Sequence, residues 1–159
     1  MALIELPAAK AHLRLDDDYP DDQVQPYLDA AELSASTFLN RAVFATQGEL
    51  DEAVAAVPAA LIAAGEVYDA AMLVANEIGN PVARCAARDF ACRVYTEAQA
   101  KALETRCGIV VNSMIQAGIL LILGHLFENR QENVVGTIVA ELKLGAQHLL
   151  FPYRIGLGV

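Results

Sequence analysis

The chain has 159 residues, the length of one ordinary domain or of a smaller domain with an insertion, and can build a core without disulfide staples. Hydrophobic residues make up 55% of it, many of them alanine, which favours close-packed helices with some apolar surface hidden between subunits. The net charge of −9 lies almost wholly in residues 1–58, which hold eleven acidic and three basic residues and argue against tight wrapping of nucleic acid.

Two helices are predicted at the N-terminus. A short one lies within residues 1–15, where Pro7 suits a first turn. A long amphipathic helix runs from about Asp22 to Asn40. Its apolar residues recur at steps of three and four: Val24, Leu28, Ala31, Ala35 and Phe38. Between the two helices, residues 16–22 (DDDYPDD) lack the glycine and the distal glutamate of an EF-hand, so a solvated capping loop is favoured over a calcium loop.

The sequence of residues 46–108 predicts further helices with clear start and stop signals. Thr46-Gln47-Gly48-Glu49 has the form of a capping box and opens a short helix that ends before Pro58. An alanine-rich helix then covers residues 59–78. Gly79-Asn80-Pro81 stops this helix and starts the next, which runs to about Cys107 with a candidate break at Thr96.

Three arginines on that last helix, Arg84, Arg88 and Arg93, permit two interpretations. They form either a phosphate-facing stripe or an ordinary exposed face with salt bridges. Because Glu97 follows Arg93 at the spacing of one helical turn, the second interpretation is favoured.

The segment from Asn112 to Arg130 predicts the central helix of the fold. Asn112 or Ser113 can cap it, and residues 114–127 are apolar on nearly every face, so the helix should be buried all round. The run is too short to cross a bilayer. The expected core residues are Ile115, Ile119, Leu121, Ile122 and Leu126.

The end of the chain predicts one more helix and a tail. Residues 137–142 are extended or a frayed turn, and Leu144 to Phe151 form a helix that Pro152 terminates. Tyr153 to Val159 show no core pattern, so a partner is expected to order them.

The sequence offers no set of residues for catalysis or metal binding. Cys85 and Cys92 are spaced for one helix face, but Cys107 and His125 do not complete a recognised zinc pattern, and buried packing thiols are favoured. His125 has no nucleophile or orienting group, so a core or interface histidine with one hydrogen-bond partner is expected. Arg130 and Arg154 are interpreted as interface or helix-end charges. We therefore expect no enzyme, no cofactor and no metal.

Three stretches carry a resemblance to a known family. They are AAKAHLRLDDDYPDDQVQPYLDAAE near the start, Ile119 to Arg130 ending in HLFENR, and Glu141 to Arg154 (ELKLGAQHLLFPYR). Their order resembles the head-tail connector, or adaptor, proteins of long-tailed bacteriophages, over residues 1–45 and 110–154. Residues 46–108 depart from the family and look like a helical insertion, which we expect at the periphery of the assembly.

The resemblance implies a structural virion protein with a single all-α connector domain: a small helical bundle around one buried central helix, with the inserted hairpin and an extended tail. Twelve subunits would form a ring at the head-tail junction after synthesis in the host bacterial cytoplasm. The ring would bind the portal protein and a tail-side stopper or completion protein, pass double-stranded DNA without reading it, and contact no membrane.

In the family the chain end contributes to portal docking, which implies Tyr153, Arg154, Ile155 and Leu157 as contacts. The alternative is a small oligomeric helical module that regulates or binds DNA through the arginine stripe.

Overall fold

The computed structural model describes residues 3–129 and 143–156. Over these residues the chain forms six α-helices and two strands of two residues each, so the predicted all-α fold is confirmed. In chain order the elements are α1 (Leu6–Leu13), α2 (Asp21–Leu39), β1 (Val43–Phe44), α3 (Gln47–Glu77), α4 (Pro81–Arg106), β2 (Ile109–Val110), α5 (Ser113–Glu128), α6 (Lys143–Leu150) and a 3-10 helix (Phe151–Tyr153).

The chain divides into two compact units. The first, called here the bundle unit, combines the residues up to Gln47 with those from Ile109 onward, and the second, the hairpin unit, is Gly48–Gly108. The predicted boundaries of an insertion at residues 46 and 108 lie within two residues of this division. Whether the hairpin unit was inserted into a shorter ancestral protein stays a prediction.

Helix α2 forms where apolar residues recur every three or four positions and turn one stripe toward the core. The stripe is fully buried and consists of Val24, Leu28, Ala31, Ala35 and Leu39. The helix ends because Asn40 adopts the left-handed conformation (φ 54°), which asparagine tolerates better than most residues. Phe38, expected in the stripe, is partly buried and packs against the core from its edge.

The core of the bundle unit lies where α5 packs against α2 on one side and α6 on another. Its largest fully buried side chains are Ile4, Leu28, Leu39, Ile115, Ile119, Leu123 and Leu150. Leu28 and Leu39 come from the N-terminal half of the unit, and the last four come from the C-terminal half. The two halves, more than 60 residues apart in sequence, therefore share one core.

Helix α5 is capped as predicted but is not buried all round. The Asn112 side chain accepts hydrogen bonds from the backbone N–H groups of Met114 and Ile115, both at 3.0 Å. Ile115 and Ile119 are fully buried. Ile122 and Leu126 are partly buried against the core.

Leu121 is 45% exposed, so its placement in the core was wrong. Uniform apolarity does not tell which side of a helix its neighbours cover, and the side of α5 that carries Leu121 is left half open in the single chain.

The short parallel pair of β1 and β2 was not predicted. Val43 lies opposite Ile109 and Phe44 opposite Val110. The Ile109 N–H donates to the Ala42 carbonyl at 2.9 Å. Strands of two residues are too short to show an alternating pattern, so no sequence pattern predicts them.

The hairpin unit differs from the prediction at Pro58. Helix α3 runs through this proline for 31 residues instead of ending before it. Proline lacks an N–H and forfeits one helical hydrogen bond, but the alanine-rich flanks favour helix strongly enough to continue on both sides. Helix α4 is likewise unbroken at Thr96.

The turn between α3 and α4 lies at Gly79-Asn80-Pro81, where the sequence predicted that one helix stops and the next starts. The Asn80 side chain accepts from the N–H groups of Val82 and Ala83 at 2.9 and 3.1 Å, with Pro81 in the first position of α4. Gly79 does not take the left-handed conformation expected of a capping glycine.

Candidate functional surfaces

The closing segment, Phe151–Gly156, lies against the C-terminal end of α2. The Ile155 N–H donates to the Leu39 carbonyl at 3.0 Å, and the Asn40 amide donates back to the Ile155 carbonyl at 3.3 Å. Arg41 donates to the Tyr153 carbonyl at 3.3 Å. These bonds pair backbone groups of Leu39, Tyr153 and Ile155 that would otherwise be hydrogen-bonded to water.

Side chains of the closing segment alternate between the two faces. Tyr153 packs against the core and its hydroxyl donates to the Met114 sulfur at 3.4 Å. The Arg154 guanidinium lies 5.1 Å from the centre of the Phe38 ring, a cation–π distance, and remains exposed.

The sequence predicted that a partner orders residues 153–159, whereas Tyr153 and Ile155 already contact their own chain. The few apolar groups are supplemented by hydrogen bonds to α2, which the sequence of the tail alone does not reveal. Leu157 and the two residues after it lie outside the described residues.

Gly156 is required where the closing segment turns away from α2. Its φ of +65° is a left-handed conformation, and a Cβ there would lie 3.1 Å from the Asn40 amide nitrogen. A side chain at this position would be strained by its backbone conformation and would crowd the amide that holds Ile155.

The acidic loop between α1 and α2 is organised around a buried lysine. Lys10 is only 6% exposed, and its ammonium donates to the carbonyls of Asp17 and Tyr19 at 3.1 and 2.6 Å and pairs with Asp21. Carbonyl ligands on Lys10 hold the loop closed, so the carboxylates of residues 16–18 and 22 are left exposed. The loop is thus an acidic surface of fixed shape.

Glu32 holds the N-terminal residues on the bundle. Its carboxylate accepts from the N–H groups of Leu3 and Ile4 at 2.8 and 3.0 Å. Burial raises the pKa of Glu32 above its usual value, and the two hydrogen bonds act against that rise without cancelling it.

A groove of about 600 Å³ opens between α1, α2, α5 and α6, with His12, His125 and Asn129 among its lining residues. His125 is exposed at this groove, so of the two predicted placements, core or interface, the core one was wrong and the interface one stays a prediction. Its ring Nδ1 lies 3.2 Å from the Asn129 amide. Most of the remaining lining is apolar and includes Leu121. Arg130 lies outside the described residues.

The cysteines do not pack in a core. Cys85 and Cys92 are exposed and Cys107 is partly exposed, so their interpretation as buried thiols was wrong. They lie on α4 and just after it, where a two-helix unit has too little interior to bury them. Within residues 3–129 and 143–156, no three histidine, cysteine, aspartate or glutamate side chains are grouped to hold a metal ion.

The three arginines of the candidate stripe contact their own chain. Arg84 donates to the carbonyls of Ile78 and Gly79 at 2.9 and 3.2 Å, at the end of α3. Arg88 donates twice to the Asn76 side chain. Arg93 lies 3.8 Å from Glu97. These contacts favour the salt-bridged face over a phosphate-binding stripe.

The hairpin unit keeps little of its apolar surface inside. Of α3 only Val57 and Ala75 are buried, and of α4 only Ala91. Tyr68 and Tyr95 join the helices with ring centres 5.3 Å apart, and a hydrogen bond with the Cys92 sulfur raises the pKa of Tyr68. In the described part of the chain, α3 alone is long and apolar enough to cross a membrane, by length and composition only.

Comparison with protein-family models, with curated proteins and with solved structures finds no match to this chain.

Proposed function

We propose that this protein is a ring-forming subunit of a phage head-tail connector, which docks beneath the portal and continues the DNA channel toward the tail. The observation that carries the proposal is a coincidence of boundaries. The stretches that resemble the connector family, residues 1–45 and 110–154, fall in the bundle unit, which ends at Gln47 and resumes at Ile109.

The shared core gives this coincidence its weight. Leu28 and Leu39 from the first resembling stretch pack in one cluster with Ile119 and Leu150 from the second. If the two resemblances had arisen by chance, the two stretches would have no reason to share a core. If they are the halves of one ancestral domain, with a segment inserted between them, a shared core is expected.

The acidic loop supports a place beside passing DNA. A channel wall must let DNA slide, and exposed carboxylates repel phosphates, whereas clustered lysine and arginine would hold them. The carboxylates of Asp16, Asp17 and Asp18 are exposed, and Lys10 is engaged by the loop itself.

The exposed side of the closing segment is the proposed portal contact. Phe151 is 52% exposed and Arg154 is exposed beside it, while Tyr153 and Ile155 contact their own chain. Arg154 would meet a portal carboxylate or carbonyl, and Phe151 would supply the apolar anchor typical of interface hot spots. Leu157 remains a proposed contact outside the described residues.

The test is binding of the full chain to purified portal rings. We expect Phe151→Ser combined with Arg154→Glu to abolish binding while melting temperature and helix content stay near those of the wild type. Leu33→Ser is the matched control, because Leu33 is 68% exposed on α2 and is not part of the closing segment. Undiminished binding by the double variant would move the docking surface elsewhere on the bundle unit.

Particles provide the second test. Density at the head-tail junction should repeat with the rotational symmetry of a ring, twelvefold as the family implies, and each repeat should fit the bundle unit. Particles with no such density for this chain would end the assignment.

A further inference from the structure

We draw no further inference here: the strongest candidate, the apolar groove between α3 and α4 of the hairpin unit with Val67, Phe90 and Val94 exposed at its rim, carries none because nothing in the structure shows what covers it.

Discussion

Lys10 shows how one buried charge determines the shape of an acidic segment. The five aspartate carboxylates of residues 16–22 would repel one another in an open loop. The ammonium group of Lys10 holds the loop together by donating to two of its backbone carbonyls and pairing with one carboxylate. The carbonyl bonds lie in a partly buried setting, whereas Asp21 is 70% exposed. The carbonyl bonds should therefore contribute more to stability than the ion pair.

We predict that Lys10→Met lowers the free energy of unfolding by about 2–3 kcal/mol, since it removes charge-assisted hydrogen bonds and leaves carbonyls without their donor. Asp21→Asn is the matched control and should cost less than about 1 kcal/mol, because exposed ion pairs contribute little. Urea denaturation measures both. Equal losses would show that the ion pair, and not the carbonyl ligation, holds the loop.

Glu32 should give stability a pH dependence of definite sign. Its folded pKa is raised above the usual value near 4.5, so the folded state binds this proton more tightly than the unfolded state does. The contribution of Glu32 to stability therefore improves as pH falls through the folded pKa toward 4.5. It is lost again as pH rises.

Glu32→Gln tests this sign, because the amide oxygen can still accept from Leu3 and Ile4 but cannot titrate. The difference in unfolding free energy between wild type and variant should shift in favour of the wild type between pH 7 and pH 4.5. Denaturation at a series of pH values measures it. A shift in the opposite direction would mean that the hydrogen bonds outweigh burial.

At the scale of secondary structure elements, the contact of α5 with α6 depends on a glycine. A Cβ on Gly118 would lie 2.9 Å from Cδ2 of Leu150, which is itself almost fully buried. Glycine is usually a poor residue inside a helix. Here its lack of a side chain lets α6 approach the buried stripe of α5.

We therefore predict that Gly118→Ala destabilises the protein by about 1–2 kcal/mol, the strain of moving Leu150 exceeding the gain in helix propensity. Gly65→Ala in α3 is the matched control, because nothing lies within 4 Å of its Cβ position. That change should stabilise α3 by about 0.5–1 kcal/mol. Thermal and urea denaturation compare the two, and a stabilising Gly118→Ala would show that α6 can shift freely.

At the scale of the whole molecule, the bundle unit contains the complete core cluster. Every member of the cluster around Leu28 and Ile119 comes from residues before Gln47 or after Gly108. The hairpin unit buries too little apolar surface to be essential for that core. The bundle should therefore fold without it.

We predict that replacing Gly48–Gly108 with a short glycine–serine linker leaves a helical protein that unfolds cooperatively in urea. The same linker inserted between Gly79 and Asn80 of the intact chain controls for the linker itself. An unfolded deletion variant, recognised by loss of the helical circular dichroism signal, would make the hairpin unit integral to the fold.

The sequence by itself determined the elements that local chemistry decides. The stripe of α2, the cap at Asn112 and the restart at Asn80-Pro81 all rest on periodicity or on side chains that bond to nearby backbone groups. Such interactions act within a few residues, so one sequence is enough to predict them. The all-α class follows from their sum.

Only the tertiary structure decided which surfaces of these elements are covered. Leu121 lies in an apolar helix yet is half exposed, because burial depends on which neighbours pack against α5. Tyr153 and Ile155 are hydrogen-bonded to Arg41 and Leu39, residues more than a hundred positions away. The pairing of β1 with β2 and the packing of the two halves of the core also depend on contacts between segments that are distant in sequence. No local pattern specifies the partners in such contacts.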